Sequence, residues 1–191
     1  MSVAKAILMR AFGHPKGALG RLGGIVMARM NQRMAARAIE LLDVQPSNKI
    51  LEVGFGPGVA IQLLAKSVLS GRVAGIDPSE EMIAQAAARN RKAIESGQVD
   101  LCRGSAERLP FADNSFDRVL TINSMQIWPD AIAGLREMRR VMKPSGRIAV
   151  GFTRYSGQPK SGLIEKVVAA GFAHAQVVES EEGFCALATK P

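Results

Sequence analysis

An α/β fold, with a mostly parallel sheet and helices on both of its faces, is expected from three features of this 191-residue sequence. Short apolar runs alternate with stretches of helical periodicity. Glycine- or proline-bearing turns fall at each change of period. The chain then closes on two apolar runs joined by a short polar turn, Ser180 to Gly183, which adds an antiparallel edge.

Taken in order, Leu22, Val26, Met30, Met34, Ala38 and Leu41 or Leu42 recur at helical spacing, with Arg29, Asn31, Gln32, Arg33, Arg37 and Glu40 largely between them. This predicts an amphipathic helix ending near Asp43, before Pro46, and preceded by a loop rich in glycine from Gly13 to Gly24. From Asn48 the pattern becomes strand, turn, helix. Lys49–Val53 is a predicted buried strand, Val59–Leu69 a helix, Arg72–Ile76 a strand and Glu80–Ile94 a helix. Ser79 is the expected N-cap of that helix, with Glu80 and Glu81 complementing its dipole. Strands are expected at Val99–Arg103 and Arg118–Ile122, separated by a long loop. A helix at Ile132–Met142 leads through Lys143-Pro144-Ser145-Gly146 into a strand at Arg147–Phe152. A helix near Leu163–Ala170 precedes the last two strands, Ala175–Glu179 and Phe184–Thr189, which brings the sheet to seven strands.

The composition narrows the function. With 47% hydrophobic residues the chain supports one sizeable core, and no apolar run approaches the ~20 residues a membrane span needs. Cys102 and Cys185 sit in apolar stretches without metal-ligand spacing, so they are expected as small core residues in a reducing cytoplasm, and no metal is expected. The net charge of +8 is concentrated at the start of the chain. Residues 1–45 carry seven basic side chains against Glu40 and Asp43, which reads as a basic element of the mature protein, since neither a cleavage pattern nor serine enrichment marks a targeting peptide.

The strongest local signal is Ile50-Leu51-Glu52-Val53-Gly54-Phe55-Gly56-Pro57-Gly58, a buried strand running into glycines at alternate positions before a helix. Such a loop lets the backbone turn sharply and lets a ligand approach it closely. A dinucleotide fingerprint would place its third glycine at position 59, which is Val59, and Glu52 beside the bend suits an ammonium group better than a pyrophosphate. Asp77, at the end of the next strand and before Pro78, stands where doubly wound folds carry the acid that accepts from ribose hydroxyls.

Four ordered segments then show a resemblance: Leu51 to Gly58, Gly75-Ile76-Asp77-Pro78-Ser79, Leu109-Pro110-Phe111-Ala112-Asp113-Asn114-Ser115-Phe116-Asp117, and Arg140 to Arg147. From about residue 47 to 152 the sequence resembles the class I S-adenosylmethionine-dependent methyltransferases, in the group that includes the ubiquinone and menaquinone biosynthesis enzymes. The resemblance implies a Rossmann-like domain over 46–191 and an N-terminal helical lid over 1–45. It also implies S-adenosyl-L-methionine as cofactor, with Glu52 and the backbone of Gly54, Phe55, Gly56 and Gly58 at the methionine end. Asp77 is implied on the ribose, Pro78 and Met82 beside the adenosine, and Ser105, Ala106 and Glu107 around adenine. Asn123 is implied near the methionine moiety or the transferred methyl. Ser105 stands where the family often has aspartate, and Ser145 where it commonly has glycine.

Candidate acceptor-facing residues are His14, Met30, Trp128 and Tyr155, each with a plainer reading as packing or loop residues. No catalytic residue is assigned. An already activated methyl donor asks the protein mainly for alignment and a dry pocket, with a base needed only where the acceptor must lose a proton. The expected reaction is methyl transfer to a small, partly hydrophobic acceptor in the cytoplasm. A second reading is methylation of a membrane lipid or quinone, with peripheral contact through the basic N-terminal segment. A third is a cofactor-binding protein without catalysis. A nucleic-acid substrate is not expected, because no Asn-Pro-Pro-Tyr or Asp-Pro-Pro-Tyr motif occurs and aromatic residues are few.

Overall fold

The glycine bend and the acids beside it owe their positions to a sheet whose central strands are buried on both faces. The structure, a computed structural model, describes residues 31–191; His14, Met30 and the rest of the segment before Asn31 lie outside the described residues. Residues 31–41 are helical (α1). The elements that follow are β1 (Lys49–Val53), α2 (Val59–Ser67), β2 (Arg72–Asp77), α3 (Glu80–Arg89), α4 (Arg91–Glu95), β3 (Val99–Arg103) and β4 (Phe116–Ile122). A single 3-10 turn at Met125–Ile127 leads to α5 (Ala131–Val141), β5 (Met142–Thr153), α6 (Leu163–Ala169), β6 (Ala173–Glu179) and β7 (Gly183–Thr189).

The seven strands lie in the order β3-β2-β1-β4-β5-β7-β6. All neighbours are parallel except β7, which runs antiparallel to both β5 and β6, so the expected antiparallel edge is a strand inserted one place in from the rim. Along each strand, alternate residues enter opposite layers. Ile50, Leu120, Ala149 and Cys185 face α1 and α2, where Met34, Ala38, Ile61 and Leu64 cover them. Leu51, Val119, Ile148 and Val150 face α5 and α6, where Leu135, Met138, Leu163 and Val167 complete the second layer. Burial on both faces is why the successive β1 residues Ile50 and Leu51, which face opposite layers, are both apolar. In the interior, burial pushes the Cys185 thiol up to about 12, as suits a packing residue. Among the described residues, no helix is long and apolar enough to cross a membrane.

Two departures from the expected elements have local causes. The predicted helix 80–94 breaks at Asn90, whose buried side-chain amide donates to the Ala86 and Gly58 carbonyls, so that α3 stops and α4 starts afresh. The predicted turn at 143–146 is absorbed into β5 as an irregularity: Met142 pairs with Phe116 and Arg147 with Arg118, leaving Lys143 to Gly146 opposite Asp117 alone.

That irregularity is held by charges. Asp117 accepts from the Lys49 backbone N–H at 2.8 Å and from Lys143 Nζ at 2.7 Å. Partial burial acts to raise its pKa, but these donors prevail and hold the carboxyl below the ordinary range. Nearby, the Arg140 guanidinium donates to the carbonyls of Leu109 and Phe111 and pairs with Glu137 and Asp113, fastening the loop before β4 onto α5. Within the irregularity Ser145 has φ 62°, a conformation that costs a residue with a Cβ. Replacing Ser145 with glycine is therefore expected to stabilise the protein by about 1 kcal/mol, after allowing for the greater freedom of glycine in the unfolded chain. Urea unfolding of the variant, with an unchanged m-value, checks this.

Candidate active site

Strand order reverses between β1 and β4: β2 and β3 lie to one side of β1, and β4 and β5 to the other. A crevice forms at the carboxyl ends of the strands at such a point, and the glycine bend leaves β1 there. Gly54 has φ 73° and lies under Ser124, so close that an added Cβ would come 2.0 Å from the serine Oγ. Gly56 has φ 52° and the opposite surroundings, because a Cβ there would meet no atom within 4 Å. The first glycine is needed for packing and the second leaves open space beside the backbone.

The bend is anchored from both sides. Gly54 N–H donates to the Ile76 carbonyl at 2.8 Å, and Gly56 N–H donates to Asp77 Oδ2 at 2.9 Å. From the end of α3, Arg89 Nε donates to the Pro57 carbonyl at 2.8 Å and Asn90 Nδ2 to the Gly58 carbonyl at 3.1 Å. Asp77 also accepts the Ser79 N–H through Oδ1, and Ser79 Oγ caps α3 by accepting the Met82 N–H as expected. One carboxylate thus ties the glycine bend, the end of β2 and the start of α3 together.

Glu52 is 3% exposed and sits on the same sheet face as Asp77. Its Oε2 has no hydrogen-bond partner among the described residues. Burial first, and the Asp77 charge second, push the Glu52 carboxyl well above the ordinary range, against a hydrogen bond from the Ile61 backbone N–H. A buried, unpaired carboxylate oxygen beside a second acid is an electrostatic vacancy for a cation.

The remaining expected residues divide. Pro78 is exposed next to Asp77, while Met82 is buried at the start of α3. Phe55 is buried with its ring against Gly75, so that side chain belongs to the core and only its backbone is available to a ligand. After β3, Ser105 is exposed, Ala106 is buried, and Glu107 has a buried Oε1 with no partner among the described residues. Asn123, with φ 50°, is committed to protein groups: its Nδ2 donates to Asn31 Oδ1 and Thr153 Oγ1, and its Oδ1 accepts from the Thr153 N–H. Trp128 packs over Gly134 and donates through Nε1 to Ser124 Oγ, whereas Tyr155 is 71% exposed after β5. His174 lies in the outermost strand, at a register shift of β6, far along the sheet from β1.

Sequence reasoning missed Ser124, Gln126, Arg89 and Asn90. Ser124 and Gln126 follow β4 without a motif of their own, and the only signal at α3 was a polar Arg89-Asn90 pair interrupting the helix.

A second cleft of about 480 Å³ opens at the other end of the strands, lined by residues that include Lys49, Arg72, Asn114 and Lys143. Two of its basic side chains are engaged in structure: Lys143 pairs with Asp117, and Arg72 donates to the Gly97 carbonyl. The chemistry points to the carboxyl ends of the strands.

The residues there fit a sulfonium nucleoside. Glu52 Oε2 offers an acceptor for an ammonium group, the space at Gly56 admits a ligand against the backbone, and Asp77 stands at the end of β2 with a carboxylate whose oxygens can each accept more than one hydrogen bond.

A protein-family model described as a methyltransferase domain matches residues 51–150. The uncharacterized methyltransferase YdaC of Bacillus subtilis is 31% identical over 187 residues, covering 89% of this chain and 98% of that protein. The demethylmenaquinone methyltransferase of Bacillus cereus is 32% identical over 128 residues, which is 66% of this chain and only 54% of that protein. Among solved structures, an S-adenosylmethionine-dependent methyltransferase from Aquifex aeolicus superposes with a TM-score of 0.74 at 24% identity, covering 86% of this chain and 93% of that one.

Two outcomes follow from this geometry. Gly56→Ala is expected to keep the fold, losing only about 1–2 kcal/mol to the left-handed backbone, while weakening S-adenosylhomocysteine binding roughly tenfold or more by filling the open space. Paired thermal melts and calorimetry check it, and unchanged affinity would place the ligand elsewhere. Glu52→Gln is expected to stabilise the ligand-free protein at pH 8 and to lose that advantage as pH falls. A carboxyl with a raised folded-state pKa holds its proton more tightly when folded, so its cost appears as pH rises from about 4.3 through the raised value. The same variant should bind S-adenosylhomocysteine more weakly at pH 8, because the ammonium loses its counter-charge. Melting temperatures and titrations between pH 5 and about 8 read both effects.

Proposed function

The chain belongs to the methyltransferase-domain family and is an S-adenosylmethionine-dependent methyltransferase, and from that premise we propose that it methylates a small, partly hydrophobic molecule. The observation that carries this reading is the rim of the site. Ile127, 38% exposed, and Tyr155, 71% exposed, follow the carboxyl ends of β4 and β5, which Asn123 and Thr153 bond together. Only residues 154–162 join β5 to α6, so this connection adds no large recognition surface beside the site, which supports a small acceptor over a folded macromolecule.

S-adenosylmethionine supplies a methyl group that an acceptor lone pair takes by in-line displacement, the C–S electron pair passing to sulfur and any acceptor proton leaving to solvent. In this reading Glu52 holds the ammonium group, the Gly54–Gly58 backbone seats the methionine end, and Asp77 accepts from the ribose while fixing the bend. Met82 packs at the adenosine, with Ser105, Ala106 and Glu107 around adenine. Asn123 acts by position: it locks β4 to β5 and to the described start of α1 through Asn31. The protein's contribution is alignment and exclusion of water rather than acid–base chemistry.

The expected outcome of incubating the protein with methyl-labelled S-adenosylmethionine and pooled acceptors graded by polarity is label in a small, organic-extractable product. Label confined to protein or nucleic acid would reject the acceptor class. The name of the Bacillus cereus relative favours a second reading, in which the acceptor is a membrane quinone. Co-sedimentation with anionic vesicles at low salt is then expected, and equal recovery in the supernatant with and without vesicles counts against it.

A further inference from the structure

The turn after β4 contains a buried hydrogen-bond acceptor with no partner among the described residues. Gln126 donates through Nε2 to the Asn123 carbonyl at 2.9 Å. A carbonyl only accepts, so this contact fixes which end of the carboxamide is nitrogen. Oε1 is therefore the other end, and it is buried with no partner among the described residues. Leaving such an oxygen unpaired is costly unless a ligand or water supplies the donor.

Its position makes the vacancy informative. Gln126 lies in the Met125–Ile127 turn, which is fixed at both ends. At its start Asn123 is bonded to Thr153 and Asn31 and Ser124 lies over Gly54; at its end Trp128 donates its Nε1–H back to Ser124 Oγ. The turn therefore abuts the glycine bend and is next to the exposed Ile127 at the carboxyl edge of the sheet. Two other orphaned acceptors are placed differently: Glu107 Oε1 follows β3, and Thr121 Oγ1 lies within β4.

We propose that Gln126 is a specificity-determining residue for the methyl acceptor: Oε1 accepts a hydrogen bond from an O–H or N–H on the acceptor, so the substrate class is a partly hydrophobic molecule bearing a hydroxyl or amino group. This rests on the small-molecule methyltransferase reading and narrows it. The Gln126 carboxamide does not ionise, so it orients the acceptor without taking its proton. An acceptor lacking the donor would leave Oε1 buried and unpaired, which is how a site of this kind discriminates.

The test begins with calorimetry of S-adenosylhomocysteine against the wild type, Gln126→Leu and Gln126→Met. Similar affinity in all three is expected; no binding by the wild type would defeat the methyltransferase reading itself, not the role of Gln126. With S-adenosylhomocysteine saturating, two matched probe pairs are then titrated: 1-naphthol against 1-methoxynaphthalene, and aniline against N,N-dimethylaniline. The wild type should prefer the donor-bearing member of at least one pair by roughly tenfold or more, and the variants should bind both members alike. The proposal is overturned if the wild type shows no preference in either pair, if no probe binds, or if the preference survives in a variant. Should both variants lose S-adenosylhomocysteine binding, Gln126 is a structural residue of the bend and the proposal likewise fails.

Discussion

Everything at the carboxyl edge of this sheet depends on a backbone that bends between a serine and an aspartate. Gly54 passes beneath Ser124 with no room for a side chain, and Gly56 is held to Asp77 through its own N–H. The bend is therefore clamped by β4 on one side and by β2 on the other, while Arg89 and Asn90 hold its far end from α3. Clamping a positive-φ segment at this many points fixes the open space at Gly56 before any ligand arrives, which lowers the ordering cost of binding.

The same clamp brings Glu52 and Asp77 into one partly dry neighbourhood. Asp77 is compensated by backbone N–H groups from both sides, but Glu52 faces burial with only one opposing hydrogen bond and an unpaired oxygen. The two acids thus divide their work. Asp77 is stabilised by the fold and in turn stabilises it, whereas the charge of Glu52 is a cost to the fold that a cation placed beside it would relieve. Stability given up at a binding site in return for affinity is a common trade.

The four motif segments also divide by location. Leu51 to Gly58 and Gly75 to Ser79 form the glycine bend and the strand end tied to it. Leu109 to Asp117 and Arg140 to Arg147 meet instead through Arg140, which grips the carbonyls of Leu109 and Phe111, and through Asp117, which receives Lys49 and Lys143 at the opposite end of the strands. These later segments are two halves of one clasp. Their resemblance to known methyltransferases identifies the family while saying little about the chemistry at the bend.

The strands, most helices, the glycine bend and its two acids were legible in the sequence, because periodicity, glycine placement and a carboxylate ending a buried strand are local signals. The mostly parallel sheet with helices on both faces followed from alternation, the Rossmann-like domain from the family resemblance, and even the cap at Ser79 was visible. What could not be read were contacts between residues far apart in the chain. Asn90 breaks its helix because it reaches Gly58, Asn123 is occupied because Asn31 and Thr153 converge on it, and Gln126 spends its nitrogen on the Asn123 carbonyl while its oxygen has no partner among the described residues. A polar side chain carries the same letter whether its hydrogen bonds are spent or spare, and only the packed chain distinguishes the two.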